Sequence, residues 1–246
     1  MTTGAHLVVG ANGAIGRALV RALATKSPAQ PVFAVARHHD AKDVSLANVR
    51  YVTLETQDEN QVISWVGEQR NHKVRFRTVV CTTGILHGHY QQCYLQPEKK
   101  IEDITPANLL AYFAVNTVVP AIWLKALVNM MAADGASITC LSARVGSIQD
   151  NQLGGWYGYR ASKAALNMLI KTAAVEYKRR SKHTLLVSYH PGTVDSELSL
   201  PFQKNVADDK LFTPAFTASQ LLAFLDQADL DDNPHYVDWK HEPIAW

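Results

Sequence analysis

Two residues four positions apart, Tyr159 and Lys163, stand in the segment YGYRASKAAL at 157–166. The small apolar residues around them follow a helical pattern, and residues four apart on a helix project from the same face. A phenol beside an ammonium forms an acid–base pair, because the cation favours the phenolate and moves a pKa of about 10 toward the operating pH. The alternative interpretation is an ordinary pair of exposed side chains on a surface helix, because such pairs have the same spacing. Tyr157 lacks this relation to Lys163, and we expect it in a pocket wall.

A glycine-rich turn follows the first strand-like run, HLVVG. Its candidate cofactor residues are Gly10, Asn12, Gly13, Ala14, Ile15 and Gly16, within GANGAIG. Glycine lets the backbone approach a pyrophosphate, and the free amides at the start of the next helix bind anions. A purely structural turn has the same composition, but the position between a strand and a helix favours dinucleotide binding.

The end of the second strand-like run, PVFAVA, bears on which dinucleotide binds. NAD sites usually place a carboxylate here for the ribose hydroxyls, whereas a basic residue accommodates the 2′-phosphate of NADP. Arg37 follows Ala36, and the next residue is not acidic. A charge-assisted hydrogen bond of about 1.5–3 kcal/mol from Arg37 corresponds to a roughly ten- to hundredfold preference for NADP(H) over NAD(H). The alternative is a solvated arginine at a strand end.

These residues need a scaffold, and the chain alternates short β-rich apolar runs with longer helical patterns. The strand-like runs are HLVVG, PVFAVA, VRYVTLE, RTVVCTT, ASITCL and TLLVSYH. Such alternation predicts an α/β fold with a doubly wound parallel sheet and helices on both faces. Thr105 and Thr213, each followed by proline, are predicted helix N-caps. We expect a single domain over residues 1–246, in which 1–90 mainly bind the dinucleotide.

Composition narrows the choice of partner. The 246 residues carry 24 basic and 22 acidic side chains, so no charge pattern typical of nucleic-acid binding appears, and a small molecule is the expected partner. We expect no membrane span, since the most apolar run is interrupted by Lys125. The start, MTTGAHLVVG, lacks the features of a signal peptide. Three widely spaced cysteines indicate reduced thiols in a cytoplasmic protein.

Four motifs occur in the order found in short-chain dehydrogenases/reductases. They are GANGAIG, VN at 115–116, YRASK at 159–163 and HPGTV at 190–194. The resemblance covers nearly the whole chain and implies a Rossmann-like fold. The stretches GGWYGYRASKAALNM and HPGTVDSELSLPF look closest to the C-factor-like branch of carbonyl-reductase-type members.

This resemblance implies roles for several residues. Tyr159 protonates a carbonyl oxygen, or removes the hydroxyl proton in the reverse direction, and Lys163 holds the nicotinamide ribose while lowering the tyrosine pKa. Asn116 anchors a water-linked proton relay to Lys163. Pro191, Gly192, Thr193 and Val194 lie against the nicotinamide. Many relatives pair the helices that carry Asn116 and Lys163, so a homodimer or homotetramer is expected.

The sequence departs from the family pattern at several positions. Ala143 stands where an oxyanion serine is expected, so either the loop shifts and Ser142 reaches the carbonyl, or the site lacks that hydroxyl; Ser147 or water is a poorer substitute. Losing such a donor costs about 10²–10³ in turnover. The family's NNAG is CTTG here, with Thr82, Thr83 and Gly84 as cofactor contacts, and Glu55 stands near a position usually held by aspartate.

The leading hypothesis is an NADP(H)-dependent oxidoreductase acting on a carbonyl or alcohol substrate. The alternative is a nucleotide-binding regulatory or signalling protein with little catalysis; a nucleotide-sugar epimerase is disfavoured by the short C-terminal part. Residues 193–212, with Leu153 and Trp156, form a predicted apolar lid. HGHYQQC at 87–93 offers His87, His89 and Cys93 but no fourth ligand, so we expect no metal.

Overall fold

Parallel strands form a central seven-stranded sheet in the computed structural model of the chain, which describes residues 4–39 and 46–246. Its strands are β1 (Gly4–Val9), β2 (Val32–Ala36), β3 (Val49–Thr53), β4 (Arg75–Cys81), β7 (Ala136–Leu141), β8 (Thr184–His190) and β11 (His235–Asp238). Four shorter strands lie outside this sheet: β5 (Gly88–Tyr90), β6 (Cys93–Leu95), β9 (Thr193–Val194) and β10 (Leu211–Phe212). The first three residues of the chain lie outside the described part.

The order in space is β11-β8-β7-β4-β1-β2-β3, and every neighbouring pair is parallel. The direction of winding reverses between β1 and β4. In such sheets, ligands bind in the crevice outside the carboxyl ends of the strands at this reversal. The predicted doubly wound fold is confirmed, including all six predicted strands.

Six α-helices belong to the described residues. They are α1 (Ala14–Lys26), α2 (Glu59–Asn71), α3 (Pro106–Phe113), α4 (Val119–Leu127), α5 (Tyr157–Arg180) and α6 (Pro214–Gln227). Short 3₁₀ turns occupy Ile101–Asp103, Arg144–Gly146, Leu200–Asn205 and Asp208–Lys210. The two predicted N-caps form: Thr105 Oγ1 accepts from the N–H of Asn108, and Thr213 Oγ1 from that of Phe216.

The apolar run NLLAYFAVNTVVPAIWLKALVNMM has a continuous helical pattern that predicts one helix, but the structure interrupts it. A π-helical turn at Ala114–Val118 separates α3 from α4, and Asn116 lies inside it. By length and composition alone the run Pro106–Leu127 qualifies as a membrane-crossing helix, so the interruption by Lys125 does not exclude a span as the sequence argument assumed. Because 44% of its tested 18-residue window is buried inside the protein, and core helices pass the same test, this is weak support for a span.

Two apolar cores lie on opposite faces of the sheet. Leu7 of β1 faces the core formed with α2, α4 and α5, whereas Val8 faces the core formed with α1 and α6. Alternate residues of a strand point to opposite faces, so a strand buried on both sides is apolar throughout. The two cores fix the strand ends at which the candidate residues meet.

Candidate active site

The glycine turn between β1 and α1 is built for close approach of the backbone. Gly10 has φ +86°, which glycine adopts without strain, and its N–H donates to the carbonyl of Val35 over 2.9 Å. A Cβ at Gly16 would lie 2.9 Å from Cα of Ala11, so only glycine permits this packing. Gly13 is the N-cap of α1 and supplies no side-chain cap, which leaves the first amides of the helix available to an anion.

The remaining turn residues connect this anion site to the end of β2. Ala14 begins α1, and Ile15 packs against the core on that side. Asn12 donates from Nδ2 to the carbonyl of His38, and its buried Oδ1 has no partner among the described residues. An unpartnered acceptor beside uncapped amides fits a dinucleotide that brings both phosphates and hydroxyl donors.

Arg37 and Glu55 follow β2 and β3, at one end of the groove outside the carboxyl ends of the strands. Arg37 is exposed directly after β2. Burial raises the pKa of Tyr90, the negative charge of Glu55 adds to that shift, and the positive charge of Arg37 opposes it, so all three are neighbours. The Tyr90 hydroxyl donates to Oε1 of Gln57 over 2.5 Å, which ties the β5–β6 hairpin to this end of the groove. Sequence reasoning missed Tyr90, because the hairpin is short and mostly polar.

The turn after β4 joins the two halves of the site. Thr82 donates from Oγ1 to the carbonyl oxygens of Val9 and Gly10, each over 2.9 Å. Thr83 instead contacts the sulfur of Cys81 at 3.2 Å. A Cβ at Gly84 would lie 3.7 Å from Nζ of Lys163, so the backbone passes directly beside that amine.

Tyr159 and Lys163 lie on the first two turns of α5 and are both buried, with 7% and 3% of their surface exposed. Lys163 donates from Nζ to the carbonyl of Leu141 over 2.8 Å, and Nζ lies 5.8 Å from the centroid of the Tyr159 ring. Burial lowers the pKa of Lys163 to about 8. The structure therefore brings the predicted pair together.

The direction of the tyrosine shift differs from the expectation. Burial raises the pKa of Tyr159 above its usual value, and the nearby Tyr236 adds to the rise. A phenolate loses more solvation than a phenol when both are buried, and the ammonium of Lys163 does not offset this in the protein alone. Tyr159 is thus held in its protonated form, which is the form that a proton donor needs.

Asn116 is fully buried and connects the site to the turn after β4. Its Oδ1 accepts from the N–H of Ile85 over 2.8 Å, and its Nδ2 donates to Oγ of Ser162 over 3.0 Å. The Ser162 hydroxyl in turn donates to the carbonyl of Tyr159 over 2.8 Å. The π-helical turn around Asn116 aims the amide at this point, and such turns occur frequently at functional sites.

Ser142 and Ala143, the two residues at the position of the expected oxyanion serine, make different contacts. Ser142 donates from Oγ to Oδ1 of Asn167 over 2.7 Å, whereas the methyl group of Ala143 packs in the cluster that contains Tyr159. These contacts favour the alternative in which the site lacks the expected hydroxyl, and the role of Ser142 stays a prediction. Ser147 is buried and accepts from the N–H of Asp150 instead.

Two side chains of β11, a strand that the sequence did not predict, hold the loop that follows β7. Tyr236 donates to the carbonyl of Ala143 over 2.7 Å. Arg144 forms an ion pair of 2.6 Å with Asp238, whose side chain is 5% exposed. These contacts hold the main chain at Ala143 and Arg144 beside Tyr159. They do not replace the hydroxyl of the expected oxyanion serine.

The segment after β8 forms another wall. Gly192 has φ +74°, and a Cβ there would lie 2.6 Å from the ring of Phe212, so this position needs glycine. Thr193 and Val194 pair with Leu211 and Phe212 as β9 and β10, which closes residues 193–212 into a loop. Pro191 directly follows β8, two residues before this loop begins.

Aromatic rings surround Tyr159. Trp156 and Tyr112 lie 6.2 and 6.3 Å from its ring centroid, both edge to face, and Trp156 packs on Phe202 of the 193–212 loop at 5.1 Å. Leu153, which was expected in the apolar lid together with Trp156, is 93% exposed. Tyr157 is partly buried. Sequence reasoning missed Tyr112, because a tyrosine in an apolar helical run gives no sign of what it faces.

The histidine motif at 87–93 is dispersed by the fold. His87 contacts the carbonyl of Glu197 and the ring of Phe202, while His89 packs on Tyr94. Over residues 4–39 and 46–246, no cluster of three or more potential metal ligands occurs.

Comparison with known proteins identifies the family to which the chain is similar. The short chain dehydrogenase family matches residues 5–207. A 1-hydroxy-2-glutathionyl-2-methyl-3-butene dehydrogenase from Rhodococcus sp. (strain AD45) is 33% identical over 112 residues, 46% of this chain and 47% of that protein. The C-signal protein of Myxococcus xanthus is 24% identical over 145 residues, 58% of this chain and 82% of that protein. The chain thus spans about half the length of the first of these relatives.

A solved structure extends the likeness to the complete fold. The NADPH-bound carbonyl reductase from chicken fatty liver superimposes with a TM-score of 0.83, at 25% identity and with all of both chains covered. The resemblance seen in the motifs, including its carbonyl-reductase-like and C-factor-like character, is confirmed. The chain belongs to the short chain dehydrogenase family.

Proposed function

We propose that this protein is an oxidoreductase that transfers hydride between NADP(H) and the carbon of a carbonyl or alcohol substrate. The observation that carries the proposal is the buried pair of Tyr159 and Lys163 beside the turn at Gly84. Membership of an oxidoreductase family and likeness to a carbonyl reductase with NADPH bound support the same reaction class.

Each group in the site has a role in this reaction. NADP(H), when bound, supplies or accepts the hydride. The uncapped amides of α1 hold its phosphates, and Arg37 pairs with the 2′-phosphate, which favours NADP(H) over NAD(H). Lys163 and the loop at 191–194 hold the nicotinamide half.

Proton transfer falls to Tyr159. Its burial keeps the phenol protonated, so it donates a proton to the developing alkoxide during reduction. Lys163, whose pKa is about 8, is charged at neutral pH and stabilises the phenolate that remains. Asn116 holds the turn beside Lys163 in place, where a proton relay to solvent begins.

The test is a scan of aldehydes, ketones and alcohols for oxidation of NADPH or reduction of NADP. Tyr159→Phe keeps the ring and removes the hydroxyl, so turnover should fall by about 10²–10⁴ while NADPH affinity stays within a factor of two. Unchanged turnover in this variant would exclude Tyr159 as the acid.

A second candidate is a nucleotide-binding regulator with little catalysis. Ala143 favours it, because the methyl group beside Tyr159 leaves the carbonyl oxygen without its usual serine donor. Tight NADPH binding with no turnover of any carbonyl, in the native protein and in Ala143→Ser alike, would support this alternative.

Further expectations belong to the same proposal. We infer a single domain over residues 1–246, a cytoplasmic location, a small-molecule substrate rather than nucleic acid, and a homodimer or homotetramer. Exposed apolar side chains on the helices of the expected interface support a homo-oligomer. Leu110 of α3 and Val175 of α5 are 72% and 64% exposed. Sedimentation at several concentrations tests it.

A further inference from the structure

Glu98 is a buried carboxylate that the proposed reaction does not use. Only 2% of its surface is exposed, and Oε1 has no hydrogen-bond partner among the described residues. Its Oε2 accepts from the N–H of Gly158 over 3.1 Å. A carboxylate is stabilised at a helix N-terminus, where it accepts from free amides, so Glu98 caps α5 one residue before Tyr159.

The main chain of the same residue holds Trp156. The carbonyl oxygen of Glu98 accepts from the N–H of Trp156 over 2.6 Å. Trp156 is left-handed, at φ 52° and ψ 41°, and it follows two further residues with positive φ, Gly154 and Gly155. A non-glycine residue in this conformation is strained, and such strain persists only where the surroundings enforce it.

Arg160 supplies the second half of this restraint. Its Nε donates to the carbonyl of Gly155 over 2.9 Å and its Nη2 to that of Gly154 over 3.1 Å, while its own N–H donates to the carbonyl of Trp156. Glu98 and Arg160 therefore hold the strained segment from both sides. We call these two residues the brace.

The brace acts directly on the surroundings of Tyr159. The Trp156 ring packs against both Tyr159 and Phe202. A Cβ at Gly158 would lie 2.9 Å from Oε1 of Glu98 and would overlap the Tyr112 ring, which itself packs on Tyr159. Glu98 and the Tyr112 ring therefore lie on the same side of Gly158, so the Trp156 backbone and the Tyr112 ring are both close to Glu98.

We propose that Glu98 is a positioning residue, which holds the first turn of α5 and the Trp156 ring so that the Tyr159 hydroxyl meets the substrate carbonyl. The inference rests on the proposed function. A cap that only stabilises α5 would have the same hydrogen bonds, so the test separates positioning from stability.

The variants are Glu98→Ala, Glu98→Gln and, as the matched control, Thr105→Ala, which removes the N-cap of α3. Because a misplacement of about 1 Å can cost 10²-fold, Glu98→Ala should lower kcat by about 10–100-fold, with NADPH affinity within a factor of two. Glu98→Gln keeps an acceptor oxygen at the same place and should restore most of kcat. Thr105→Ala should lower Tm and leave kcat unchanged.

A second measurement does not depend on turnover. Acrylamide quenching of Trp156 fluorescence, taken as the difference between each protein and the same protein with Trp156→Phe, reports whether the ring stays packed. Quenching should rise in Glu98→Ala and remain native in Glu98→Gln. If no carbonyl is reduced by the native protein, the proposed function has failed, and this measurement still decides whether Glu98 holds Trp156. Native kcat and native quenching in Glu98→Ala would overturn the inference.

Discussion

The hydroxyl of Ser142 donates to Oδ1 of Asn167 over 2.7 Å, and the next residue, Ala143, presents its methyl group to the cluster around Tyr159. The Ser142 hydroxyl is therefore engaged by Asn167. In the proposed reaction, a substrate carbonyl oxygen would therefore receive one hydrogen bond, from Tyr159, where the family pattern supplies two. Substitutions at positions 142 and 143 separate the contributions of these two side chains to turnover.

Ala143→Ser should raise kcat by up to about 10²–10³, because one preorganised donor to a developing oxyanion is worth that factor. The measurement is steady-state reduction of the best carbonyl found. Ser142→Ala is the control: it should leave kcat within about threefold and lower the free energy of unfolding by about 1 kcal/mol, the value of a typical hydrogen bond. A larger loss of kcat in Ser142→Ala than gain in Ala143→Ser would reverse the assignment.

Substitution of Arg37 tests the cofactor preference. Arg37→Ala should weaken NADPH binding by roughly ten- to hundredfold, because a charge-assisted hydrogen bond to the 2′-phosphate is lost. NADH, which lacks that phosphate, should bind as before. Titration of both nucleotides by protein fluorescence measures the two affinities, and an equal loss for both would assign Arg37 a structural role.

Local patterns predicted much of this molecule from the sequence. Apolar runs are read from adjacent residues, so six of the seven sheet strands were predictable, and the spacing of Tyr159 and Lys163 follows from one helix. β11 was missed because HYVD is short and half polar. The hydrogen bond from Tyr236 to Ala143 joins residues 93 positions apart, and nothing in either segment indicates it.

The direction of the Tyr159 pKa shift was the feature least predictable from the sequence. The neighbouring ammonium of Lys163 indicated a lowered pKa for Tyr159, but the direction depends on how completely the phenol is desolvated. That burial comes from residues distant in sequence, such as Tyr112 and Ala143, which surround the ring only after folding. The interruption of the helix at Asn116 was equally hidden, since a π-helical turn keeps the apolar pattern of its neighbours.

Two helical glycines, Gly16 in the glycine turn and Gly67 in α2, allow a comparison between a crowded and an open position. Gly16→Ala should lower the free energy of unfolding by about 1–3 kcal/mol and abolish NADPH binding, because its Cβ would overlap the backbone at Gly10 and Ala11. Gly67, inside α2, has no atom within 4 Å of such a Cβ, so Gly67→Ala should stabilise the protein by up to about 1 kcal/mol. Urea unfolding of both variants provides the measurement, and similar destabilisation by the two would contradict the packing argument.

Titration of Lys163 predicts how reduction depends on pH. Its pKa is lowered to about 8 because burial disfavours the ammonium, so the folded protein loses this charge as the pH rises through 8. If the charge is needed, kcat/KM for NADPH, which reports groups of the free enzyme, should be level below pH 8 and fall about tenfold per unit above it. In Lys163→Arg the guanidinium stays charged to well above pH 10, so the residual activity should lack this fall. Profiles measured from pH 6 to pH 10 make the comparison, and the same decline in both proteins would show that another group controls the reaction.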